Sequence, residues 1–351
     1  MEDRLKEECG IFGVYNHPEA SALVALGLHA LQHRGQEACG INSFDGKNFY
    51  LIKRRGLVGD NFTDPKIIEQ LKGHTAIGHN RYSTTGAPLI RNIQPFFADL
   101  HTGGLGIAHN GNLTNAISIR EKMVKEGAIF QTTSDTETLV QLIARSKRVK
   151  TIDKIIDAIF QVHGGYALTI MTNKKLVGVR DPYGIRPLIL GKLKNSYILS
   201  SETCALDIIG AEFIREIENG EMVVIDKNGI ESIKPFPRVK PRPCVFEYVY
   251  FSRPDSIVGG KAVHEYRKRL GEQLSKEMKI EADIVSAVPD SGVPAAIGYS
   301  NDSGIPYDMG IIRNHYVGRT FIEPTEQIRQ LGVKLKHNPN KEIIKNKKLI
   351  L

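Results

Sequence analysis

The stretch Lys234–Pro243 contains four prolines and divides the chain into two parts with different hydrophobic patterns. Proline has a fixed backbone φ angle and no backbone N–H, so a dense run of prolines interrupts regular structure and is typical of a linker. The length of 351 residues is also typical of two domains. We therefore predict a first domain over residues 9–235 and a second over residues 236–351, preceded by a short charged segment, residues 1–8.

The first part predicts a layered α+β domain. The apolar run from Ile11 to Tyr15 is typical of a buried strand, and Pro18-Glu19 opens a helix that ends near Gly35. Further short apolar runs, separated by turn sequences, predict antiparallel strands. These runs are Tyr166–Met171, Leu176–Val179, Leu188–Leu190, Tyr197–Ser201 and Glu221–Asp226.

The second part alternates between helical and extended patterns, which predicts a parallel sheet of the α/β type. One amphipathic helix is predicted from the spacing of Tyr266, Leu270, Leu274 and Met278. The loop Pro289–Gly292 follows a predicted strand, and such loops bind ligands in parallel sheets. The predicted strands are Asp283–Val288, Ile305–Ile312 and Lys348–Leu351, and further helices are expected near residues 295–299 and 328–336.

Composition excludes several classes of protein. No stretch is long and apolar enough to span a membrane, and residues 1–8 lack the apolar centre of a secretory signal, so we expect a cytoplasmic chain. The four cysteines do not form a disulfide framework or a zinc site. The net charge of +8 favours phosphate-bearing small molecules over nucleic acid, because no aromatic-interleaved basic motif accompanies it.

Cys9 is the first candidate catalytic residue. If residues 1–8 are removed, its thiol lies beside its own α-amino group, whose pKa of ~8 suits a base near neutral pH. Such a pair is an activated nucleophile. A single cysteine is by itself a weak signal, and the alternative is an ordinary free cysteine.

Four further sites have both a chemical and a structural interpretation. Arg81 carries a planar fork suited to a carboxylate, or is a surface arginine. Asn110-Gly111 supplies an amide and a backbone N–H that could stabilise an oxyanion, or forms a turn. Asp135 could hold an ammonium group, or serves a helix start within a capping box formed by Ser134 and Glu137. Arg34 could reach a site, or compensates a helix dipole.

The chain resembles the class II glutamine amidotransferases, which are N-terminal-nucleophile hydrolases. Five motifs occur in the order of that class: Glu8–Gly13, His33–Gln36, His79–Tyr82, His109–Asn112 and Ser134–Glu137. Three later segments make the chain similar to the amidophosphoribosyltransferase family: Tyr248–Ser256, Val288–Ser291 and Tyr316–Ile322. The resemblance implies an αββα N-terminal-nucleophile hydrolase sandwich followed by an incomplete α/β type I phosphoribosyltransferase domain.

The resemblance also implies roles for residues. Cys9, freed by removal of a propeptide (residues 1–8), attacks the side-chain amide of glutamine. Asn110 and the Gly111 N–H form the oxyanion hole, Arg81 binds the substrate α-carboxylate, Asp135 binds its α-ammonium, and Arg34 assists nearby. Ammonia then displaces pyrophosphate from phosphoribosyl pyrophosphate in the presence of Mg²⁺, which gives phosphoribosylamine, the first committed intermediate of purine synthesis.

Metal sites are expected from the same resemblance. Cys244 matches the first ligand of a [4Fe-4S] cluster in the subfamily that carries one, and Ser291 matches a residue near Mg²⁺. Cys39 and Cys204 do not match the other cluster positions, and a four-cysteine cluster needs three more thiolates. The resemblance further implies purine nucleotides as feedback ligands and a homo-oligomer.

One departure from the family pattern shapes the expected activity. In the family, a strand like Lys348–Leu351 runs into an acidic pair and a Gly/Thr phosphate loop. We therefore expect a fragment or truncated product that hydrolyses glutamine but makes no phosphoribosylamine. The alternatives are a stand-alone glutaminase, another class II amidotransferase such as the aminosugar-forming type, and a non-catalytic assembly protein of the same fold.

Overall fold

The computed structural model describes residues 9–82, 89–315 and 332–351. The predicted propeptide, the Tyr316–Ile322 segment and residues 328–331 of the helix expected near residues 328–336 lie outside the described residues, whereas residues 332–336 are helical as predicted. The chain forms two compact units, Met1–Val245 and Phe246–Leu351. The division falls after the proline-rich stretch, whereas the sequence placed it at residues 235/236. The stretch is held to the first unit, because the Arg242 N–H donates to the Tyr183 carbonyl at 2.8 Å.

The first unit contains two antiparallel sheets. The seven-stranded sheet has the order β11-β9-β10-β1-β4-β2-β3. Its strands are β1 (Gly10–Tyr15), β2 (Ala38–Phe44), β3 (Phe49–Arg55), β4 (Thr75–Arg81), β9 (Ile189–Leu193), β10 (Ser196–Ser200) and β11 (Glu212–Glu216). The six-stranded sheet has the order β13-β12-β8-β7-β6-β5. Its strands are β5 (Phe96–Leu100), β6 (Gly103–Leu113), β7 (Gly164–Thr172), β8 (Leu176–Arg180), β12 (Met222–Asp226) and β13 (Gly229–Ile233).

Helices cover the outer faces of both sheets. They are α1 (Ala20–Ala30), α2 (Val58–Asn61), α3 (Pro65–Ile68), α4 (Ala116–Lys125), α5 (Thr136–Arg145), α6 (Thr151–Ile159) and α7 (Cys204–Asp207). Two buried clusters lie between helices and sheets, one around Phe12 and Leu28 and the other around Leu139 and Ile155. A third, around Ile11 and Ile77, lies between the two sheets. This layering confirms the predicted αββα sandwich.

In the described part of the second unit, all strands are short. They pair as β14 (Ile257–Val258) with β15 (Lys261–Ala262), β16 (Ile284–Val285) with β19 (Leu349–Ile350), and β17 (Ile311–Arg313) with β18 (His337–Pro339). Its helices are α8 (Val263–Glu277), α9 (Val293–Ser303) and α10 (Lys341–Ile344); residues 332–336 are also helical, and Glu247–Phe251 forms a π-helical turn. The β16–β19 pair is parallel, as predicted. No described helix of the chain could span a membrane.

Helices α8 and α9 pack closely because glycine lies at their crossing. A Cβ added at Gly271 would lie 1.8 Å from the carbonyl oxygen of Ala295, and one at Gly298 would lie 1.9 Å from that of Lys268. The buried residues of α8 are Val263, Arg267, Gly271 and Ser275. The predicted apolar face of this helix is therefore wrong, since Leu270 and Leu274 are exposed.

Candidate active site

The alternation of side chains along β4 brings catalytic groups to the space between the sheets. Ile77 belongs to the inter-sheet core, so His79 and Arg81 share its face of the strand. Gly78 lies on the opposite face, where an added Cβ would meet Val24 and Leu28 of α1. The inter-sheet face of β4 is therefore apolar at Ile77 and carries two buried polar side chains, His79 and Arg81, at its carboxyl end.

Cys9 immediately precedes β1, which pairs with β4 so that Gly10 lies opposite Asn80. Its side chain is buried, and the thiol lies 3.8 Å from the Tyr82 carbonyl oxygen. Cys9 borders a cleft with nine other residues: His79, Arg81, Tyr82, Asn92, Gln94, His109, Gly111, Ser134 and Asp135. The structure therefore brings together four predicted site residues that are widely separated in sequence, namely Cys9, Arg81, Gly111 and Asp135.

Asn110 and Gly111 lie near the end of β6. Gly111 has a φ angle of +143°, and an added Cβ would lie 2.1 Å from the Gly165 carbonyl oxygen, so only glycine fits there. Asn110 is fully buried on the face of β6 that carries Ala108, which belongs to the inter-sheet core. Neither polar atom of its amide has a hydrogen-bond partner among the described residues. A buried amide without a partner is the state expected of a donor that pairs with a substrate.

Asp135 is the residue just before α5, and its carboxylate is held by the end of β6. Oδ2 accepts from the Leu113 N–H at 3.0 Å, and Oδ1 lies 3.8 Å from His109 Nδ1. The predicted capping box is wrong. The Glu137 carboxylate instead accepts from the backbone N–H groups of Gln131 and Thr132 at 2.8 and 2.7 Å, because the chain before α5 turns back over the first helical turn.

Two buried histidines at the cleft were missed by sequence reasoning. Burial lowers the pKa of His79 to about 3, with Arg81 adding to the effect. Burial also lowers the pKa of His109, although the Asp135 carboxylate opposes it. His109 Nδ1 lies 3.0 Å from the Thr136 hydroxyl, and its backbone N–H donates to Gln94 Oε1 at 2.8 Å. The period-two spacing of residues 77, 79 and 81 could have placed His79 beside Arg81.

All of the described cleft residues except Cys9 lie in a segment that matches a family model. Residues 79–207 match the family described as "Glutamine amidotransferase domain". The amidophosphoribosyltransferase of Rhizobium etli is 57% identical over 99% of this chain and 71% of its own length. Amidophosphoribosyltransferase 1, chloroplastic, of Arabidopsis thaliana is 48% identical over all of this chain and 62% of its own length. The chain belongs to the amidophosphoribosyltransferase family.

Solved structures agree with this assignment to the amidophosphoribosyltransferase family. The glutamine phosphoribosylpyrophosphate amidotransferase from B. subtilis, complexed with ADP and GMP, superposes with a TM-score of 0.90 at 43% identity. The match covers 97% of this chain and 74% of that one. A second structure, of the allosteric regulatory enzyme of purine biosynthesis, has a TM-score of 0.91 at 43% identity. The chain is thus an enzyme of this family, and its relatives favour that assignment over the stand-alone glutaminase, other amidotransferases and a non-catalytic protein.

Arg34 does not border the cleft of this family member. Its side chain is fully buried, and Nε donates to Oε1 of Glu202. His33 Nε2 lies 2.6 Å from the same oxygen. Ser201, just before Glu202, is bound to β1, because the Ile11 N–H donates to Ser201 Oγ at 3.0 Å. No local sequence signal indicated Glu202, because its partners lie about 170 residues away along the chain.

The predicted metal residues do not form a metal site in the described part of the chain. No group of three or more His, Cys, Asp or Glu side chains is arranged there to hold a metal ion. Cys244 is half-buried, whereas Cys9, Cys39 and Cys204 are all buried. Ser291 is exposed in the loop before α9, and the neighbouring Asp290 carboxylate pairs with Arg313. Among the described residues, Cys244 therefore lacks the three further thiolates that a four-cysteine cluster needs.

Proposed function

We propose that the first unit hydrolyses glutamine at Cys9, as the ammonia-supplying half of phosphoribosylamine formation in purine synthesis. One observation carries the proposal. The cleft places a cysteine thiol together with a guanidinium and a carboxylate that suit the two charges of an α-amino acid. A glutamine held by those charges presents its side-chain amide to the remaining polar groups of the cleft.

The reaction follows from the residue types. Removal of residues 1–8 leaves Cys9 with a free α-amino group, which takes the thiol proton. The sulfur attacks the side-chain carbonyl carbon and forms a C–S bond, while the carbonyl electrons move to oxygen. The Asn110 amide and the Gly111 N–H stabilise that oxyanion.

The second half of the reaction restores the enzyme. The α-amino group gives its proton to the amide nitrogen, the C–N bond breaks, and ammonia leaves. Water then hydrolyses the thioester to glutamate and the free thiol. Arg81 and Asp135 hold the α-carboxylate and α-ammonium throughout, so they act mainly in binding.

The second unit would supply part of a site for phosphoribosyl pyrophosphate. The parallel β16–β19 pair supports this, because the chain leaves β16 toward the loop that carries Ser291, the position expected for a ligand loop. Mg²⁺ and a [4Fe-4S] cluster remain expectations of the family resemblance. No group of three or more metal-binding side chains is present among the described residues, so no step is assigned to either group.

The proposal extends to regulation and location. The B. subtilis structure contains ADP and GMP, which supports purine nucleotides as feedback ligands of this chain. A homo-oligomer and a cytoplasmic location stay predictions; some relatives are named chloroplastic.

The experiment compares two forms of the chain. One form begins at Cys9, as verified by intact mass, and the other retains Met1–Glu8 through a blocked cleavage site. We expect glutamate release from glutamine only in the first form, because the second lacks a free α-amino group at Cys9. Equal glutamate release from both forms would contradict the proposed base.

A further inference from the structure

His79 is a wholly buried side chain that borders the cleft and has no part in the mechanism above. It lies on β4 two residues before Arg81, on the same face of the strand. Its position is fixed by the pairing of β4 with β1 and β2 on either side. A buried polar ring in a substrate cleft needs a reason, because it costs free energy unless it is hydrogen-bonded.

The hydrogen-bond partners of His79 define which nitrogen carries the proton. Nε2 lies 3.1 Å from the backbone carbonyl oxygen of His109. A carbonyl oxygen only accepts, so Nε2 must be the donor. Burial lowers the pKa of His79 to about 3, so the ring is neutral near pH 7. In the neutral ring with Nε2 protonated, Nδ1 is an acceptor with a free lone pair.

This acceptor has no partner among the described residues, although it is buried. Among the other groups that border the cleft, the amide nitrogens of Asn92 and Gln94 already donate to the hydroxyls of Thr133 and Thr136, and the Asp135 carboxylate only accepts. A substrate that enters the cleft can bring the missing donor. Glutamine has two N–H donor groups, its α-ammonium and its side-chain amide. The charged α-ammonium pairs better with the Asp135 carboxylate, which leaves the side-chain amide for Nδ1.

We propose that His79 Nδ1 accepts a hydrogen bond from the side-chain amide nitrogen of glutamine and so selects an amide over a carboxylate. The inference rests on the proposed hydrolysis of glutamine. Glutamate presents an oxygen without hydrogen, whose lone pairs face the Nδ1 lone pair. When the amide nitrogen is protonated on leaving, it becomes a stronger donor with positive charge, so the hydrogen bond strengthens in the transition state.

Two substitutions of His79 distinguish the contribution of Nε2 from that of Nδ1. His79→Gln can place an amide N–H near the position of Nε2 and keep the bond to the His109 carbonyl, but it has no acceptor in the position of Nδ1. His79→Asn can place an amide oxygen near the position of Nδ1 but cannot reach the His109 carbonyl. A purely structural histidine would therefore be replaced better by Gln, and an amide-binding histidine better by Asn.

The assay compares glutamine with glutamate γ-methyl ester in the chain processed to Cys9. We expect His79→Gln to lower kcat for glutamine by about tenfold or more, as for a lost hydrogen bond to a charged group. The ester has no amide N–H, so its hydrolysis should change by less than about twofold, and inhibition by glutamate should become tighter. His79→Asn should keep an amide-to-ester ratio close to that of the unsubstituted chain. The thermal midpoint of each variant is measured as the check on folding.

The outcomes distinguish this inference from the function on which it rests. Equal losses on amide and ester in His79→Gln, or a lower amide-to-ester ratio in His79→Asn than in His79→Gln, would overturn the role of Nδ1 while glutamine hydrolysis stands. An unsubstituted chain that releases glutamate from neither substrate would overturn the proposed function and the inference together.

Discussion

The two units of the chain hold their polar groups in different ways. In the first unit four of the cleft residues lie on β4 and β6, one strand from each large sheet, and three buried clusters fix those sheets against helices and each other. In the second unit the Ser291 loop lies between a two-stranded parallel pair and α9, over a cluster of four buried residues. A polar side chain is placed accurately only when its backbone is fixed by packing on several sides.

The same difference appears in the ion pairs. In the first unit the Arg34–Glu202 pair has both side chains fully buried. In the second unit the Arg253–Asp255 pair, at 2.6 Å, has side chains that are 40% and 51% exposed. Buried pairs lose much when one partner is removed, whereas exposed pairs contribute little. We therefore predict that substitutions of buried charged residues in the first unit have larger effects than substitutions of exposed charged residues in the second unit.

The largest expected effect is on the nucleophile. Cys9→Ser should abolish glutamate release, because a hydroxyl is far less nucleophilic than a thiolate. Cys39→Ser is the matched control: it is buried in β2, and burial raises the pKa of its thiol to about 12, so it stays a protonated, inert thiol. Steady-state glutamate release checks both. Glutamate release retained by Cys9→Ser would contradict the assignment of Cys9 as the nucleophile.

The next effect separates binding from catalysis within the cleft. Asn110→Ala should lower kcat on the order of a hundredfold with little change in KM, as for one lost oxyanion donor. Arg81→Ala should act mainly on KM, since the α-carboxylate is held in both ground and transition states. Both constants are measured for each variant. If Asn110→Ala changed KM alone, Asn110 would not be part of the oxyanion hole.

The smallest effect compares the ion pairs of the two units. Glu202→Gln removes the carboxylate that pairs with the buried Arg34 guanidinium and should lower the free energy of unfolding by ~3 kcal/mol. Asp255→Asn, its exposed counterpart, should lower it by less than ~1 kcal/mol. Chemical denaturation of both variants gives the two values. Equal losses of free energy of unfolding in the two variants would show that burial does not determine how much each ion pair stabilises the chain.

Much of the first unit could be predicted from sequence because its signals are local. The strand at Ile11–Tyr15 and the helix after Glu19 appear as β1 and α1 with small changes at their ends. Alternating burial and turn sequences are enough to find such elements. The charged strand β11 (Glu212–Glu216) was missed because it lies at a sheet edge and is largely exposed, so it carries no apolar run.

Predictions failed where tertiary contacts decide the outcome. Helix α8 does not bury the apolar face that its residue spacing predicts, but buries Arg267. The Arg267 guanidinium donates to the carbonyl oxygens of Tyr248 and Ser252 at 2.7 and 2.8 Å. Glu202 and His79 were missed for the same reason. Their hydrogen-bond partners are distant in sequence, so the period-two spacing of β4 indicates the face on which His79 lies but not its partner.

The central claim is that Cys9, as the N-terminal residue, is the nucleophile for glutamine. The most direct measurement is peptide mapping after reaction with a glutamine analogue that carries an electrophilic ketone in place of the amide. We predict one label per chain, on a peptide that begins at Cys9, and protection by excess glutamine. A label on Cys39, Cys204 or Cys244 that accompanies loss of activity, or an active chain whose first residue is not Cys9, would contradict it.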